Sequence, residues 1–203
     1  WPGGIWPGTI PEHAVSRAYA KISEAIDWSA LPIKAGQRCV DLGCGRVVGK
    51  KALLDRGLRV VGLDPADVHP ALLTNRDFKH VRCRGADLKR REFSEFQWLV
   101  ADMNVAPRET LATVRDIVTH RQVSIRGLIM NLKLADWGMA ESVEEMLAEM
   151  PSWGYPRVRA RQLSHNRMEI CVVAQKRAAR RRGRLGRKRA RTASNRAGSA
   201  NRA

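Results

Sequence analysis

Cysteine is scarce in this chain: Cys39, Cys44, Cys83 and Cys171 are the only four in 203 residues, and no two form a Cys-x-x-Cys pair. That spacing offers neither a zinc ribbon nor a disulfide framework, and small core residues in a reducing compartment are the simpler reading. Cys39, Cys83 and Cys171 all sit in apolar runs that read as buried strands. Also lacking is any apolar stretch near the roughly 18–20 residues that span a bilayer. The opening has no basic start and no continuous apolar run, so it does not read as a signal peptide. These absences predict a cytoplasmic protein with no membrane contact and no metal site; the oligomeric state is not written in the sequence, and a monomer is the default expectation. The chain opens on Trp1 rather than Met, as a piece of a longer protein would.

Acidic residues are the other shortage. Asp and Glu number 20 against 37 Lys and Arg, a formal net charge of +17. The excess is uneven, because Lys176 to Ala203 holds 12 basic residues and no acid. Large apolar side chains are nearly absent there, so this stretch cannot bury enough surface to order itself. The expected organisation is an irregular segment over 1–12, a folded domain over 13–176 and a disordered basic tail over 177–203. Such a charge balance favours an anionic polymer as partner. Arg180, Arg181, Arg182 and Lys188 are candidates for phosphate contacts, whose affinity would depend on salt and not on base sequence. A solvated tail without function is the plainer alternative.

With 44% hydrophobic residues, the rest can form a core. A helix is predicted from Ser16 to about Trp28, with Tyr19, Ile22 and Ile26 on one face. Short apolar runs follow at 38–42, 59–63, 80–84, 97–101, 125–131, 157–162 and 169–174. Helical patterns fall between them at 48–56, 71–76, 108–120 and 140–150. Strands alternating with helices imply an α/β fold with a mostly parallel sheet covered on both faces. The short link between the last two runs suits an antiparallel hairpin at the sheet edge.

The segment Cys39-Val-Asp-Leu-Gly-Cys-Gly45 is a strand running into a glycine turn, where backbone amides can approach a ligand closely. About 20 residues on, Val60-Val-Gly-Leu-Asp64 ends the next strand with an acid placed to accept ribose hydroxyls. Turn and acid together point to a cofactor containing adenosine. Asp41, Gly43, Cys44, Gly45, Asp64, Asp87 and Asp102 are the candidate cofactor-side residues. The continuation Arg46-Val-Val-Gly49 does not fit the G-x-G-x-x-G turn that cradles a pyrophosphate, which argues against a dinucleotide. Lys50 and Lys51 then oppose the positive end of a helix dipole.

Four ionisable residues stand where an open α/β sheet gathers its site. Lys21 lies on the first helix, Asp102 follows Trp98-Leu-Val-Ala, Lys133 follows Leu128-Ile-Met-Asn-Leu, and Glu169 opens the last strand. Each has a bland reading alone: a solvated lysine, a turn aspartate, an edge-strand charge. In this order the Lys-Asp-Lys-Glu set resembles that of FtsJ-like RNA 2′-O-methyltransferases, most closely the bacterial large-subunit rRNA cytidine 2′-O-methyltransferases. Trp1-Pro-Gly-Gly-Ile5, Ser16-Arg17, Asp41-Leu-Gly43, Asp102-Met103, Asn131-Leu-Lys-Leu134 and Arg161-Gln-Leu-Ser-His165 carry the resemblance, which runs from Trp1 to about Lys176. The glycine loop departs from it, lacking the Pro-Gly-Gly-Trp-like run of that family.

The resemblance implies a Rossmann-like class I methyltransferase fold, with seven strands, the last antiparallel, and helices on both faces. It implies S-adenosyl-L-methionine as cofactor, ribosomal RNA of the large subunit as partner, and a separate RNA-binding domain that this chain lacks. Lys21, Asp102, Lys133 and Glu169 would be catalytic, with Lys133 as the base for a ribose hydroxyl. Burial and the Lys21 cation would lower the Lys133 pKa, while Asp102 and Glu169 would act the other way. Arg17, one helical turn from Lys21, is a candidate RNA contact. His165 is expected to support the hairpin turn, and Trp1 and Trp6 to pack beside the first helix rather than stack on bases. Two other readings stay open: a non-catalytic RNA-binding relative with a degenerate cofactor loop, and a class I methyltransferase acting on a base or small molecule.

Overall fold

The structure, a computed structural model, describes residues 4–12, 17–43, 45 and 48–177. Cys44, Trp1, Ser16, Arg180, Arg181, Arg182 and Lys188 lie outside the described residues, as does nearly all of the predicted basic tail.

Helix α1 (Arg17–Ser29) leads into strands β1 (Arg38–Leu42), β2 (Arg59–Leu63), β3 (Phe78–Val81), β4 (Trp98–Ala101), β5 (Gly127–Lys133), β6 (Arg157–Arg161) and β7 (Glu169–Gln175). Helices α2 (Lys51–Leu54), α3 (Pro70–Leu73), α4 (Pro107–Val118) and α5 (Val143–Leu147) fall between them. The strand order is β3-β2-β1-β4-β5-β7-β6. The first five of these strands pair in parallel, and β7 runs antiparallel between β5 and β6. The sequence expectation of a seven-stranded, mostly parallel sheet holds, and the hairpin does sit at the edge, with β6 outermost.

Two cores lie on the two faces, and the two-residue period of the strands divides their residues. Val40, Leu42, Leu128, Met130 and Leu132 pack with Leu111, Val114 and Ile117 of α4. Cys39, Val60, Trp98, Ile129 and Cys171 face the other way, against Tyr19, Ile22 and Ile26 of α1. Because both faces are covered, β4 is an unbroken apolar run, and β1 and β5 are apolar apart from Arg38 and Asp41 and from Asn131 and Lys133. Pro107 opens α4, where a missing N–H costs nothing.

Some boundaries differ from expectation. The third strand is 78–81, not 80–84, because Phe78 is the buried anchor and the pairing with β2 ends at Leu63↔Val81. Cys83 therefore lies just past the strand and is half-buried, whereas Cys39 and Cys171 are buried within strands. The helix expected over 48–56 is cut short by the left-handed Gly57 (φ +74°). That over 140–150 breaks into tight turns around a short α5, which Pro151 cannot extend.

Strand order reverses between β1 and β4, leaving a crevice at their carboxyl ends. Open α/β sheets bind ligands at such a switch point.

Candidate active site

A cleft of about 300 Å³ opens at that point, lined by residues that include Lys21, Asp41, Gly43, Gly45, Lys50, Asp64, Asp102 and Lys133. A hollow of about 710 Å³ at the opposite ends of β1 to β3 is larger, but its Arg38, Arg59 and Arg76 already face Glu95 and Asp77. The four candidate ionisable residues gather at the smaller one, three of them lining it.

Lys21, Asp102, Lys133 and Glu169 meet in a closed ring of alternating charge. The Lys21 ammonium is 2.5 Å from Asp102 Oδ2 and 3.0 Å from Glu169 Oε2. The Lys133 ammonium is 2.9 Å from Asp102 Oδ1 and also donates to Glu169 Oε1. Each lysine thus touches both carboxylates, and the ring is neutral as a whole. Sheet register accounts for one side of it, because Lys133 and Glu169 are cross-strand partners at the end of the β5–β7 ladder. Asp102 is fixed by its N–H to the Leu42 carbonyl, at 3.0 Å. Lys21 comes from the buried face of α1 and is only 4% exposed.

The electrostatics follow from that closure. Burial disfavours ionised Glu169, but the hydrogen bond from Lys133 and the charge of Lys21 outweigh it and hold its pKa down at about 2. Burial likewise pushes Lys133 toward the neutral amine, yet the Asp102 charge and the Glu169 hydrogen bond win and raise its pKa. This corrects the expectation of a lowered value: two carboxylates in contact outweigh burial. In this state Lys133 is an ammonium.

The ring is braced by residues that sequence reasoning passed over. Asn166 donates to Glu169 Oε2 at 3.2 Å and to Asn131 Oδ1 at 3.3 Å. Glu24, one turn beyond Lys21 and fully buried, accepts the backbone N–H of Ser164 (2.8 Å) and of His165 (2.9 Å). It also takes the Ser164 hydroxyl and meets His165 Nδ1, each at 2.8 Å. Burial works against its charge, but these donors together lower its pKa. An acid on the apolar face of α1 was the available signal. His165 supports this turn, as expected, and Trp6 packs edge-on against it while donating to Asp27 at 3.0 Å.

On the other side of the cleft, Gly43 has φ +74°, and a Cβ there would lie 2.7 Å from Met103 Cα. Gly45 (φ +47°) donates its N–H to Asp64 Oδ2 at 2.6 Å. Asp64 therefore clasps the glycine turn, with Oδ1 taking the Ala66 N–H at 2.8 Å. Asp41 is buried, and desolvation raises its pKa to about 6, against the opposing charge of Lys50 at 3.6 Å. Arg17 lines the cleft and is exposed. Asp87 is not brought in: it is exposed beyond β3 and accepts the Arg84 N–H at 3.1 Å. Asn104, not foreseen, lines the cleft beside Lys133. Among the described residues no group of three or more His, Cys, Asp or Glu could hold a metal ion, and no helix is long and apolar enough to cross a membrane.

The chain matches no protein-family model. It is 32% identical over 186 residues to the ribosomal RNA large subunit methyltransferase M of Halorhodospira halophila, covering 90% of this chain and 53% of that protein. The chain thus spans about half the length of the curated relatives it matches. Among solved structures, a hemolysin-named protein of Streptococcus thermophilus superposes with TM-score 0.64 at 13% identity, over 83% of this chain and 69% of that one. Aeropyrum pernix fibrillarin with natively bound S-adenosyl-L-methionine gives 0.57 at 16% identity, over 78% and 76%. By fold the chain is a Rossmann-like α/β domain that superposes on solved methyltransferases, and by sequence it is similar to about half the length of the ribosomal RNA large subunit methyltransferase M proteins.

Proposed function

We propose that the protein transfers a methyl group from S-adenosyl-L-methionine to a ribose 2′-hydroxyl of large-subunit ribosomal RNA, with Lys21, Asp102, Lys133 and Glu169 as its catalytic group. The observation that carries this reading is the closed four-residue ring at the rim of the cleft. Ion pairs usually sit at the surface; here Lys21 and Glu169 are buried, Asp102 and Lys133 are half-buried, and the set opens onto a ligand-sized space. The relatives' name supplies the substrate class.

The cofactor fits the residues present. Gly43 and Gly45 supply backbone that comes close to a ligand, and Asp64 and Asp41 offer carboxylates to a ligand carrying positive charge. When bound, S-adenosyl-L-methionine supplies a methyl group already activated by a sulfonium centre. What the chain must add is placement of the hydroxyl oxygen and a destination for its proton.

Lys133 stands where two hollows meet. It lines the cofactor cleft and also an open hollow of about 330 Å³ with Asn104, Val105, Pro107, Leu134 and Met139. Trp137, 52% exposed, lies in the same short turn as Met139, and an exposed indole is suited to stacking on a nucleobase. Lys133 orients the 2′-hydroxyl from this junction. As an ammonium it donates to the hydroxyl oxygen; as the neutral amine it accepts the hydroxyl proton. Asp102 and Glu169 hold both lysines in place and tie the second role to rising pH.

A second reading, a non-catalytic RNA-binding relative, draws on one observation: Lys50 already neutralises Asp41 inside the cleft. Transfer of labelled methyl to deproteinised large-subunit rRNA separates the two. Label in alkali-resistant dinucleotides, reduced about 10²- to 10⁴-fold in Lys133→Ala, is the expected result. Absence of label together with no cofactor-induced rise in melting temperature would establish the second reading.

A further inference from the structure

We propose that the outer edge of the sheet, along β6, is a binding track for the phosphate backbone of RNA leading to the catalytic ring; this rests on the function proposed above. Most described arginines outside this edge are paired with acids. Arg38, Arg56, Arg59, Arg76, Arg82, Arg90, Arg108 and Arg115 all face an Asp or Glu within 4 Å. On the β6 edge the pattern reverses. Arg157, Arg161 and the nearby Arg167 are exposed and make no ion pair or side-chain hydrogen bond among the described residues. No acid occurs between Glu149 and Glu169 to offer one.

Direction comes from register. Arg157 and Arg161 share one face of β6, since side chains alternate along a strand. Arg161 pairs with Cys171, two residues from Glu169 of the ring, and Arg157 pairs with Gln175 at the far end. Just beyond Gln175 come Lys176 and Arg177, where the arginine-rich stretch begins. The free cations thus run from the start of that stretch to the ring. Arg159, between them, is a fastener instead: it lies 4.8 Å over the Trp28 ring and donates to the Ser29 carbonyl. A row of unneutralised guanidiniums complements a polyanion and suits phosphate geometry.

Exposed charge on an edge strand also discourages edge-to-edge aggregation. Glutamate would serve that purpose equally and repel phosphate, so charge reversal separates the two explanations. The experiment measures binding of the full chain to a large-subunit rRNA transcript across a salt series, with polyglutamate as a second probe. Arg157→Glu/Arg161→Glu is expected to bind the transcript at least about tenfold more weakly at moderate salt with an unchanged melting temperature. Arg157→Gln/Arg161→Gln is expected to flatten the log–log salt slope by about 1.4, or about 0.7 per lost contact to a single strand. Wild-type affinity and slope in both variants, with the wild type binding, would overturn the track and leave the proposed function standing. A wild type that binds no transcript would overturn both. Loss of polyglutamate binding with RNA binding intact would overturn the track in favour of an acidic protein partner.

Discussion

The two sides of the cleft are built on opposite principles. On the β4–β5–β7 side, four charged groups saturate one another through lysine–carboxylate contacts and are braced by Asn166. On the β1–β2 side, the shape depends on left-handed backbone at Gly43 and Gly45, one carboxylate clasp and a looser Lys50–Asp41 pair at 3.6 Å. The first is complete without a ligand. The second is held by fewer side-chain contacts, with its glycine N–H groups donated to Leu63 and Asp64 and Asp41 paired with Lys50. In the proposed function, preorganisation falls on the side assigned to proton transfer and adaptability on the side assigned to the cofactor.

If the sides are separable, Lys133→Ala should reduce methyl transfer by about 10²- to 10⁴-fold yet retain the cofactor-induced rise in melting temperature. Losing both together would show that the ring also builds the cofactor side. Glu169→Gln tests the saturation itself. It leaves the buried Lys21 with one carboxylate fewer and should lower stability at neutral pH by about 3 kcal/mol, read from denaturant melts. The sign with pH is fixed: a carboxyl held at about 2 when folded contributes stability above its ordinary value of 4.5, and that contribution is lost as pH falls toward 2. The variant should therefore show a flatter acid limb; an unchanged limb would place the acid sensitivity elsewhere.

Gly43→Ala should cost about 1–2 kcal/mol for the positive φ alone, plus the collision with Met103 backbone. Gly45→Ala, with open space around its Cβ, should cost only the first part. Equal melting temperatures for the two would refute the close approach at Gly43. The smallest effect concerns Asp41. Its carboxyl, raised to about 6, is charged at about pH 8 and neutral at about pH 5, so cofactor-induced stabilisation should shrink across that interval. A constant shift would show that Asp41 does not meet the cofactor.

The sheet was legible because its central strands are buried on both faces and are therefore spelled mainly by apolar residues between turn residues. Its third strand was misplaced because the run continues through Val81-Arg-Cys83, while pairing with β2 stops at Val81. Three ring residues were legible as types at strand ends and Lys21 as a lysine on the first helix; their closure was not, since Lys133 and Glu169 meet only through β5–β7 register. Glu24 escaped notice because a glutamate on a helix is ordinarily solvated, and only the fold reveals the turn it holds. The direction of the Lys133 shift turned on distances, which decide whether carboxylates outweigh burial.

The position of β7 has a consequence for how the molecule comes into being. It follows β6 in the chain but lies between β6 and β5 in the sheet, and its first residue, Glu169, completes the ring. A growing chain that has emerged only through β6 holds Lys21, Asp102 and Lys133 with no second carboxylate, and a β5 edge with no partner. Inserting the last strand seals that edge and supplies the missing charge in a single event. The four-charge ring is therefore assembled late in synthesis, together with the completed sheet, and an unfinished chain carries only three of its members.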